Sequence, residues 1–166
     1  MQPEYRSRVS MKNPVHFLAL GFGSGLIPVM PGTFGSLAAI PLLALLSSVS
    51  VPLFVATTLV CSLVGVYLCG KTARDMQVHD HGAIVWDEVA GMLVTFLFIP
   101  INFPTLVIGF ILFRVFDILK PWPIGLIDKR LHGGTGIMLD DIVAGAMACG
   151  CMHLLFTFWP AVFSLF

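Results

Sequence analysis

The charged residues of this chain form three short blocks that long uncharged stretches separate. Four, six and eight charged residues lie within 1–12, 71–88 and 114–141, and the uncharged stretches after these blocks are 58, 25 and 25 residues long. Uncharged apolar stretches of this length are typical of segments that cross a lipid bilayer, where about 20 residues suffice for one helical span. The pattern therefore predicts an integral membrane protein.

The amino-acid composition also differs from that of a soluble protein. Of the 166 residues, 57% are hydrophobic and 11% are charged, whereas a soluble domain carries about 25% charged residues. The formal net charge is zero and no basic tract exists beyond Asp128–Arg130, so the sequence excludes a nucleic-acid partner. The length fits a single domain, 1–166, and no obligatory protein partner is evident.

Turn signals divide two of the uncharged stretches. Ser47–Pro52 splits the first stretch into a predicted helical hairpin, and Pro100–Pro104 interrupts the second. If the second stretch crosses the bilayer once, the charged blocks on either side of it face opposite compartments. If the chain turns at Pro100–Pro104, all charges share one side. We favour the turn because all nine Lys and Arg then face the cytoplasm.

The predicted fold class is all-α: a polytopic helical membrane protein with about four to five short transmembrane helices and a charged cytoplasmic-side face. Strands are not expected, because an open sheet leaves backbone groups unsatisfied in lipid. The glycine- and proline-rich stretch Gly21–Ser36 is expected to be a loop. The predicted spans are 35–48, 51–69, 84–99, 104–119 and 141–160.

Carboxylates that border the apolar stretches are the candidate metal ligands: Asp87, Glu88, Asp117, Asp140 and Asp141. Gly91 and Gly145 follow Asp87 and Asp141 by four residues, so each glycine shares a helical face with an aspartate and lets a neighbouring helix approach. Converging carboxylates cannot all stay ionised without a cation, and Mg²⁺ prefers oxygen ligands of this kind. The alternative is that Asp87 and Asp140 are helix N-caps.

Arg114, Asp117 and Lys120 recur every three residues and would share one face of a helix that Pro121 ends. Two cations beside one acid at a membrane surface suit a site that binds a metal and a phosphate together. The alternative is an intrahelical ion-pair ladder whose lysine extends to the interface. Trp122 would lie at the level of the lipid headgroups.

Two glycine-rich stretches, 21–36 and 132–139, complete the predicted polar face. Glycine lets backbone N–H groups point at an anion, and the second stretch would lead into a helix N-terminus at Asp140–Asp141 that favours phosphate. His79–His81 is either a solvated loop or a small acid–base cluster. The candidate phosphate-binding residues are Arg114, Lys120, Ser24, Thr33, Ser36, Gly133 and Gly134.

Four blocks of sequence follow one another in a distinctive order. They are Gly21–Leu26 continuing through Pro31–Leu37, His79–Glu88, Phe113–Ile124 with Arg114, Asp117 and Lys120, and His132–Gly145 with Asp140 and Asp141. In these blocks, which cover most of residues 14–150, the sequence resembles the phosphatidylglycerophosphatase A family. The N-terminal twelve residues, the apolar spans and the last fifteen residues match weakly.

The resemblance implies a bacterial inner-membrane enzyme that requires Mg²⁺. Such an enzyme hydrolyses the terminal phosphomonoester of the membrane phospholipid phosphatidylglycerophosphate, giving phosphatidylglycerol and phosphate. The residues supply compatible parts: the acids would hold Mg²⁺, Arg114 and Lys120 would neutralise developing charge, and a water would attack in line. The candidate catalytic residues are Asp87, Glu88, Asp117 and His81, with a carboxylate or His81 as proton acceptor.

Three alternatives stay open at this point. An aspartyl-phosphate route would replace direct attack by water. A phosphatase for another lipid phosphate fits the same residues. A small cation transporter could use the same acidic cluster, although transport favours charges on both sides of the membrane or midway across it.

Overall fold

The computed structural model describes residues 3–78 and 81–158. Within these residues the chain is helical and contains no strand, which confirms the predicted all-α class. The α-helices are α1 (Pro3–Arg6), α2 (Pro14–Ala19), α3 (Pro31–Leu46), α4 (Val51–Met76), α5 (Trp86–Thr95), α6 (Phe103–Leu119), α7 (Ile124–Arg130) and α8 (Gly133–Phe158), and a 3-10 helix covers Gly21–Leu26.

Helix α5 forms the centre of the bundle. All of its residues except Asp87 are buried, and it packs against α3, α4, α6 and α8. The apolar face of α5 contacts side chains from three of these helices, including Leu43 of α3, Phe113 of α6 and Met152 of α8. A helix surrounded in this way has almost no surface of its own, so the residues at its N-terminal end are held from several directions.

Close backbone contact joins α5 to α8. A Cβ atom added to Gly145 would lie 2.3 Å from the carbonyl oxygen of Gly91, and a Cβ added to Gly91 would lie 2.8 Å from the carbonyl oxygen of Asp141. Neither position therefore accepts a side chain without displacing backbone. The structure confirms the predicted glycine-mediated approach of these two helices.

Both predicted turns form. Helix α3 ends at Leu46 and α4 begins at Val51, while α5 ends at Thr95 and α6 begins at Phe103. Asn102 caps α6: its Oδ1 accepts a hydrogen bond of 3.0 Å from the backbone N–H of Thr105. The Thr105 hydroxyl accepts a bond of 2.9 Å from the Asn102 N–H in return. Residues 89–113 therefore contain a turn rather than one continuous helix.

Two predicted helix starts were wrong. In both cases, glycine residues adopt a helical conformation where another element packs against them. Helix α3 begins at Pro31, inside the predicted loop 21–36, since proline suits the first position of a helix. Helix α8 begins at Gly133, eight residues before the predicted span 141–160. A Cβ on Gly134 would lie 2.0 Å from the carbonyl oxygen of Val66, so contact with α4 outweighs the low helix propensity of glycine.

Among the described residues, two helices are long and apolar enough to cross a membrane, namely α4 and α8. Helix α3 is apolar but shorter, and α5 has 10 residues, which correspond to about 15 Å against a hydrocarbon core of about 30 Å. The predicted span 84–99 is thus helical only over Trp86–Thr95. The count of four to five transmembrane helices stays a prediction.

Candidate active site

Three carboxylates meet where α5 and α8 pack together. Asp87 and Glu88 lie in the first turn of α5, and Asp141 lies in the third turn of α8. One oxygen from each lies within 4.8 Å of the others, so the three could share a metal ion. We call Asp87, Glu88 and Asp141 the acid triad. The glycine contact between α5 and α8 brings Asp141 close to Asp87 and Glu88.

Burial makes the acid triad unusual. Glu88 and Asp141 are 9% and 3% exposed. Glu88 Oε2 and Asp141 Oδ2 are buried and accept no hydrogen bond from the part of the chain that the structure describes. The charges of Asp87, Asp117 and Asp140 also lie near Asp141. Buried anions that repel one another need a cation or donors, and an all-oxygen set of this kind fits Mg²⁺.

Arg114 of α6 faces the acid triad. Its Nη1 donates a hydrogen bond of 2.5 Å to Asp117 Oδ2 and lies 4.0 Å from Glu88 Oε1. The same nitrogen lies 3.5 Å from the hydroxyl of Ser36. The Arg114 side chain is only 16% exposed, and its Nε has no hydrogen-bond acceptor among the described residues. A buried guanidinium with an unused donor beside an acid cluster is suited to bind an oxyanion.

The first turn of α3 covers this arrangement. A Cβ atom on Gly32 would lie 2.3 Å from Glu88 Oε1 and 3.1 Å from Nη1 of Arg114. Ser36 donates its hydroxyl hydrogen to the carbonyl oxygen of Gly32 at 2.9 Å. A side chain at position 32 would displace the ends of the Glu88 and Arg114 side chains, so glycine lets the start of α3 lie against them in their present positions. This contact was not predicted from the sequence. The Pro31–Gly32 pair, with proline at a first helical position, was the available signal.

Asp117 and Asp140 belong to ion pairs beside the acid triad. Asp117 forms an ion pair with Arg114, as their three-residue spacing predicted. Asp140 accepts a hydrogen bond of 2.8 Å from Lys120 Nζ, which also donates to Asp128 Oδ1 at 2.6 Å. Lys120 therefore leaves the predicted face of α6 and points towards α7 and α8. The second partner of Lys120, Asp128, lies in α7.

Lys120 stays charged in this position. Burial lowers the pKa of its ammonium group, but the hydrogen bonds to Asp128 and Asp140 raise it by more, so the net shift is upward. Its backbone has φ 43° at the C-cap of α6, and this left-handed conformation turns the chain out of the helix. The ammonium group is therefore a permanent cation next to the acid triad.

The capping alternative for the paired acids is wrong. The N-cap of α5 is Val85, and Asp87 lies inside the first turn. Asp140 lies well inside α8, seven residues after its start at Gly133. Their carboxylates are thus available for contacts between helices.

His81 lies in a different environment from the acid triad. Its Nδ1 accepts a hydrogen bond of 3.1 Å from the backbone N–H of Ala83, and its ring packs edge-to-face on Tyr5 at 4.9 Å. Among the described residues, His81 does not belong to the group of potential metal ligands that the acid triad forms. His79 and Asp80 lie outside the described residues.

The predicted phosphate-binding residues of the glycine-rich stretches separate into two groups. Ser36 contacts Arg114, and Thr33 lies in the first turn of α3. Ser24 lies in the 3-10 helix with its hydroxyl buried. Gly133 opens α8 with φ +71° and nothing near its Cβ position, whereas Gly134 is a packing residue against α4.

Comparisons with known proteins point to one family. A family model described as phosphatidylglycerophosphatase A matches residues 17–156. A phosphatidylglycerophosphatase A of Escherichia coli (strain K12) is 49% identical over 156 residues, which are 93% of this chain and 91% of the relative. A protein of the same name from Haemophilus influenzae is 50% identical over 143 residues, 85% of this chain and 88% of the relative.

A more distant relative has a different name. A putative phosphatidylinositol-3-phosphatase of Bacteroides thetaiotaomicron is 32% identical in an alignment 151 positions long that covers 81% of this chain and 91% of the relative. No solved structure matches the chain.

Proposed function

This chain belongs to the phosphatidylglycerophosphatase A family, and we propose that it hydrolyses the terminal phosphomonoester of phosphatidylglycerophosphate. The products are phosphatidylglycerol and inorganic phosphate. One structural observation carries the chemistry: the acid triad, with Glu88 and Asp141 buried, faces the Arg114 guanidinium, whose buried Nε has no acceptor among the described residues. This pairing suits a site where a metal ion and a phosphate bind side by side.

The acid triad is the proposed Mg²⁺ site. Glu88 Oε2 and Asp141 Oδ2 are buried and accept no hydrogen bond from the described residues. A divalent cation bound between them would satisfy both oxygens. When bound there, the ion would polarise the phosphoryl oxygens and stabilise negative charge on them. Asp117 and Asp140, held by Arg114 and Lys120, complete the charge balance around the site.

Arg114 is the proposed phosphate clamp. Asp117 fixes Nη1, which leaves Nε to donate to a phosphoryl oxygen. A guanidinium held by a carboxylate is preorganised, so little side-chain entropy is lost when phosphate binds. The first turn of α3, with Ser36 and Thr33, lies on the same side and supplies further polar groups. Lys120 contributes positive charge from the other side.

Hydrolysis then needs one water and one proton acceptor. The water oxygen attacks phosphorus in line while the bond to the glycerol oxygen of the leaving lipid breaks. A carboxylate of the acid triad accepts the water proton, and the leaving oxygen takes up a proton to become the hydroxyl of phosphatidylglycerol. We favour a carboxylate over His81, because the acid triad faces Arg114, whereas the His81 ring packs on Tyr5 and its Nδ1 accepts a hydrogen bond from the Ala83 N–H.

The proposed location is the bacterial inner membrane, with several spans and the active site on the cytoplasmic side. Helix α4 presents an exposed apolar face, as a lipid-facing helix would: Leu59, Val60, Leu63, Val64 and Tyr67. The ion pairs between α5 and α6 and between α6 and α8 lie at the charged ends of these helices. A lipid substrate could reach such a site while its acyl chains stay in the bilayer.

A second candidate is a phosphatase for another lipid phosphate. The relative named as a putative phosphatidylinositol-3-phosphatase favours it, although that relative is less similar than the two named phosphatidylglycerophosphatase A. The cation transporter is disfavoured, because Glu88 of the acid triad faces Arg114, and Asp140 pairs with Lys120, near one end of the helices rather than midway along them.

Purified protein in proteoliposomes tests the proposal. We expect phosphate release from phosphatidylglycerophosphate in the presence of Mg²⁺ and none from the Asp141→Asn variant. Faster release from a phosphatidylinositol phosphate would favour the second candidate. Cation flux without phosphate release would contradict both.

A further inference from the structure

A polar cavity lies beside the acid triad, between the end of α7 and the start of α8. Its volume is about 340 Å³, and its lining includes Asp128, Lys129, His132, Gly136 and Asp140. Ligand pockets in proteins begin at about this size. The charge of Asp140 acts on Asp141 of the acid triad, so the two carboxylates lie near each other and the cavity adjoins the proposed reaction site.

Asp140, which lines this cavity, has an unused acceptor atom. The residue is 6% exposed, and its Oδ2 accepts from Lys120 Nζ at 2.8 Å. Its other oxygen, Oδ1, is buried and receives no hydrogen bond from the described part of the chain. A buried carboxylate oxygen without a donor is costly, so the cavity is suited to a ligand that carries a hydrogen-bond donor.

The ligand group that fits beside Asp140 Oδ1 is a neutral hydroxyl rather than a second metal ion. The Lys120 ammonium group already lies between Asp128 and Asp140, at 2.6 and 2.8 Å, and balances their charge. A divalent cation at Asp140 would meet this ammonium at close range, and like charges repel. A hydroxyl would donate to Oδ1 without disturbing the ion pairs.

Resting on the proposed function, we propose that this cavity binds the glycerol linker and the internal phosphodiester of the substrate headgroup. Asp140 Oδ1 accepts the hydrogen of the free linker hydroxyl, and the exposed ammonium of Lys129 faces the phosphodiester at the rim. The cavity lies beside the site of the terminal phosphate, which is where the next groups of the headgroup must lie. Asp140 is thus a specificity residue for lipids whose phosphomonoester is separated from the diacylglycerol by a hydroxylated linker.

Loop geometry keeps the cavity open at the start of α8. A Cβ atom on Gly136 would lie 2.4 Å from the carbonyl oxygen of Leu131, so the backbone of residues 131–132 lies directly against the first turn of α8. Gly133 at φ +71° turns the chain into the helix. His132 and Lys129 consequently line one cavity with Asp140.

Substrate selectivity tests the proposal. Phosphatidylglycerophosphate carries the linker and the internal diester, whereas phosphatidic acid carries neither, so wild-type protein with Mg²⁺ should prefer the former. Asp140→Ala should lower the ratio of the two kcat/KM values at least about tenfold, the usual loss when a hydrogen bond to a charged group is removed. Asp75→Ala is the control, since it also removes the carboxylate partner of a lysine, here Lys71, but lies in α4 and does not line the cavity, and it should keep the ratio.

The outcomes separate this inference from the proposed function. An equal loss on both substrates in Asp140→Ala, or a wild type without preference, would overturn the headgroup site while phosphatidylglycerophosphate hydrolysis still stood. Absence of phosphate release by the wild type from either lipid would overturn the proposed function. Calorimetry with glycerophosphoglycerol, which has the linker and diester but no phosphomonoester, needs no turnover: the wild type should bind it at least about tenfold more tightly than Asp140→Ala, and equal binding would refute the site.

Discussion

Gly91 and Gly145 lie so close that a Cβ atom on Gly145 would stand 2.3 Å from the Gly91 carbonyl oxygen. Each glycine lies one helical turn from an acid of the triad, Asp87 on α5 or Asp141 on α8. The separation of these two helices therefore sets the separation of the carboxylates. The packing of α5 against α8 thus also determines the geometry of the proposed metal site.

Gly145→Ala should lower activity and stability together. The added methyl group meets backbone rather than a flexible side chain, so α5 and α8 must move apart at a cost of about 1–3 kcal/mol. Gly150→Ala is the matched control on the same helix, because no atom lies within 4 Å of its Cβ position. Thermal unfolding and phosphate release from both variants check the prediction, and a fully active Gly145→Ala would show that the spacing is not needed.

Chelation of divalent cations should abolish phosphate release, and Mg²⁺ should restore it. The reason is that the buried oxygens of Glu88 and Asp141 have no donor among the described residues. Mg²⁺ should also raise the thermal unfolding temperature of the wild type, since a ligand that binds only the folded state stabilises it. Asp141→Asn should lose most of that increase. Full activity in excess EDTA would remove the metal site from the proposal.

Arg114→Lys should reduce kcat/KM about a hundredfold, comparable to the loss of one donor to a developing oxyanion. Lysine keeps the charge but lacks Nε and the planar fork that Asp117 positions. Arg130→Lys, at an exposed site on α7, is the control and should be neutral. Equal activity of both variants would show that only the charge of Arg114 matters.

The predicted topology can be checked with single cysteines in a background that lacks Cys61, Cys69, Cys149 and Cys151. A cysteine at Asn102, in the turn before α6, should react with an impermeant thiol reagent added outside intact cells. A cysteine at Lys129, at the charged end, should react only after permeabilisation. Labelling of Lys129→Cys from outside would place the acid triad on the opposite side of the membrane.

The sequence predicted those features that depend on spacing within one helix. Four-residue spacing identified the glycine contact between α5 and α8, and three-residue spacing identified the Arg114–Asp117 pair. Proline-rich turn signals located the turn between α5 and α6. Each of these follows from local geometry, which an amino-acid sequence encodes directly.

Features that depend on contacts between distant segments were missed. The start of α8 at Gly133 requires the backbone of α4 against Gly134, and local propensity alone disfavours it. The left-handed backbone at Lys120 turns its side chain from α6 to Asp128 and Asp140, which spacing could not indicate. The division of five acids into a triad and two ion-paired residues appears only once the helices are assembled.

The order of the helices along the chain has a consequence for biosynthesis. Asp87 and Glu88 lie at the start of α5, whereas Asp141 belongs to α8, the last helix of the described residues. A ribosome must therefore synthesise α6, α7 and the first turns of α8 before the third acid can reach the other two. Chains that end before Asp141 lack this carboxylate, so the acid triad assembles only after α8 has begun to form.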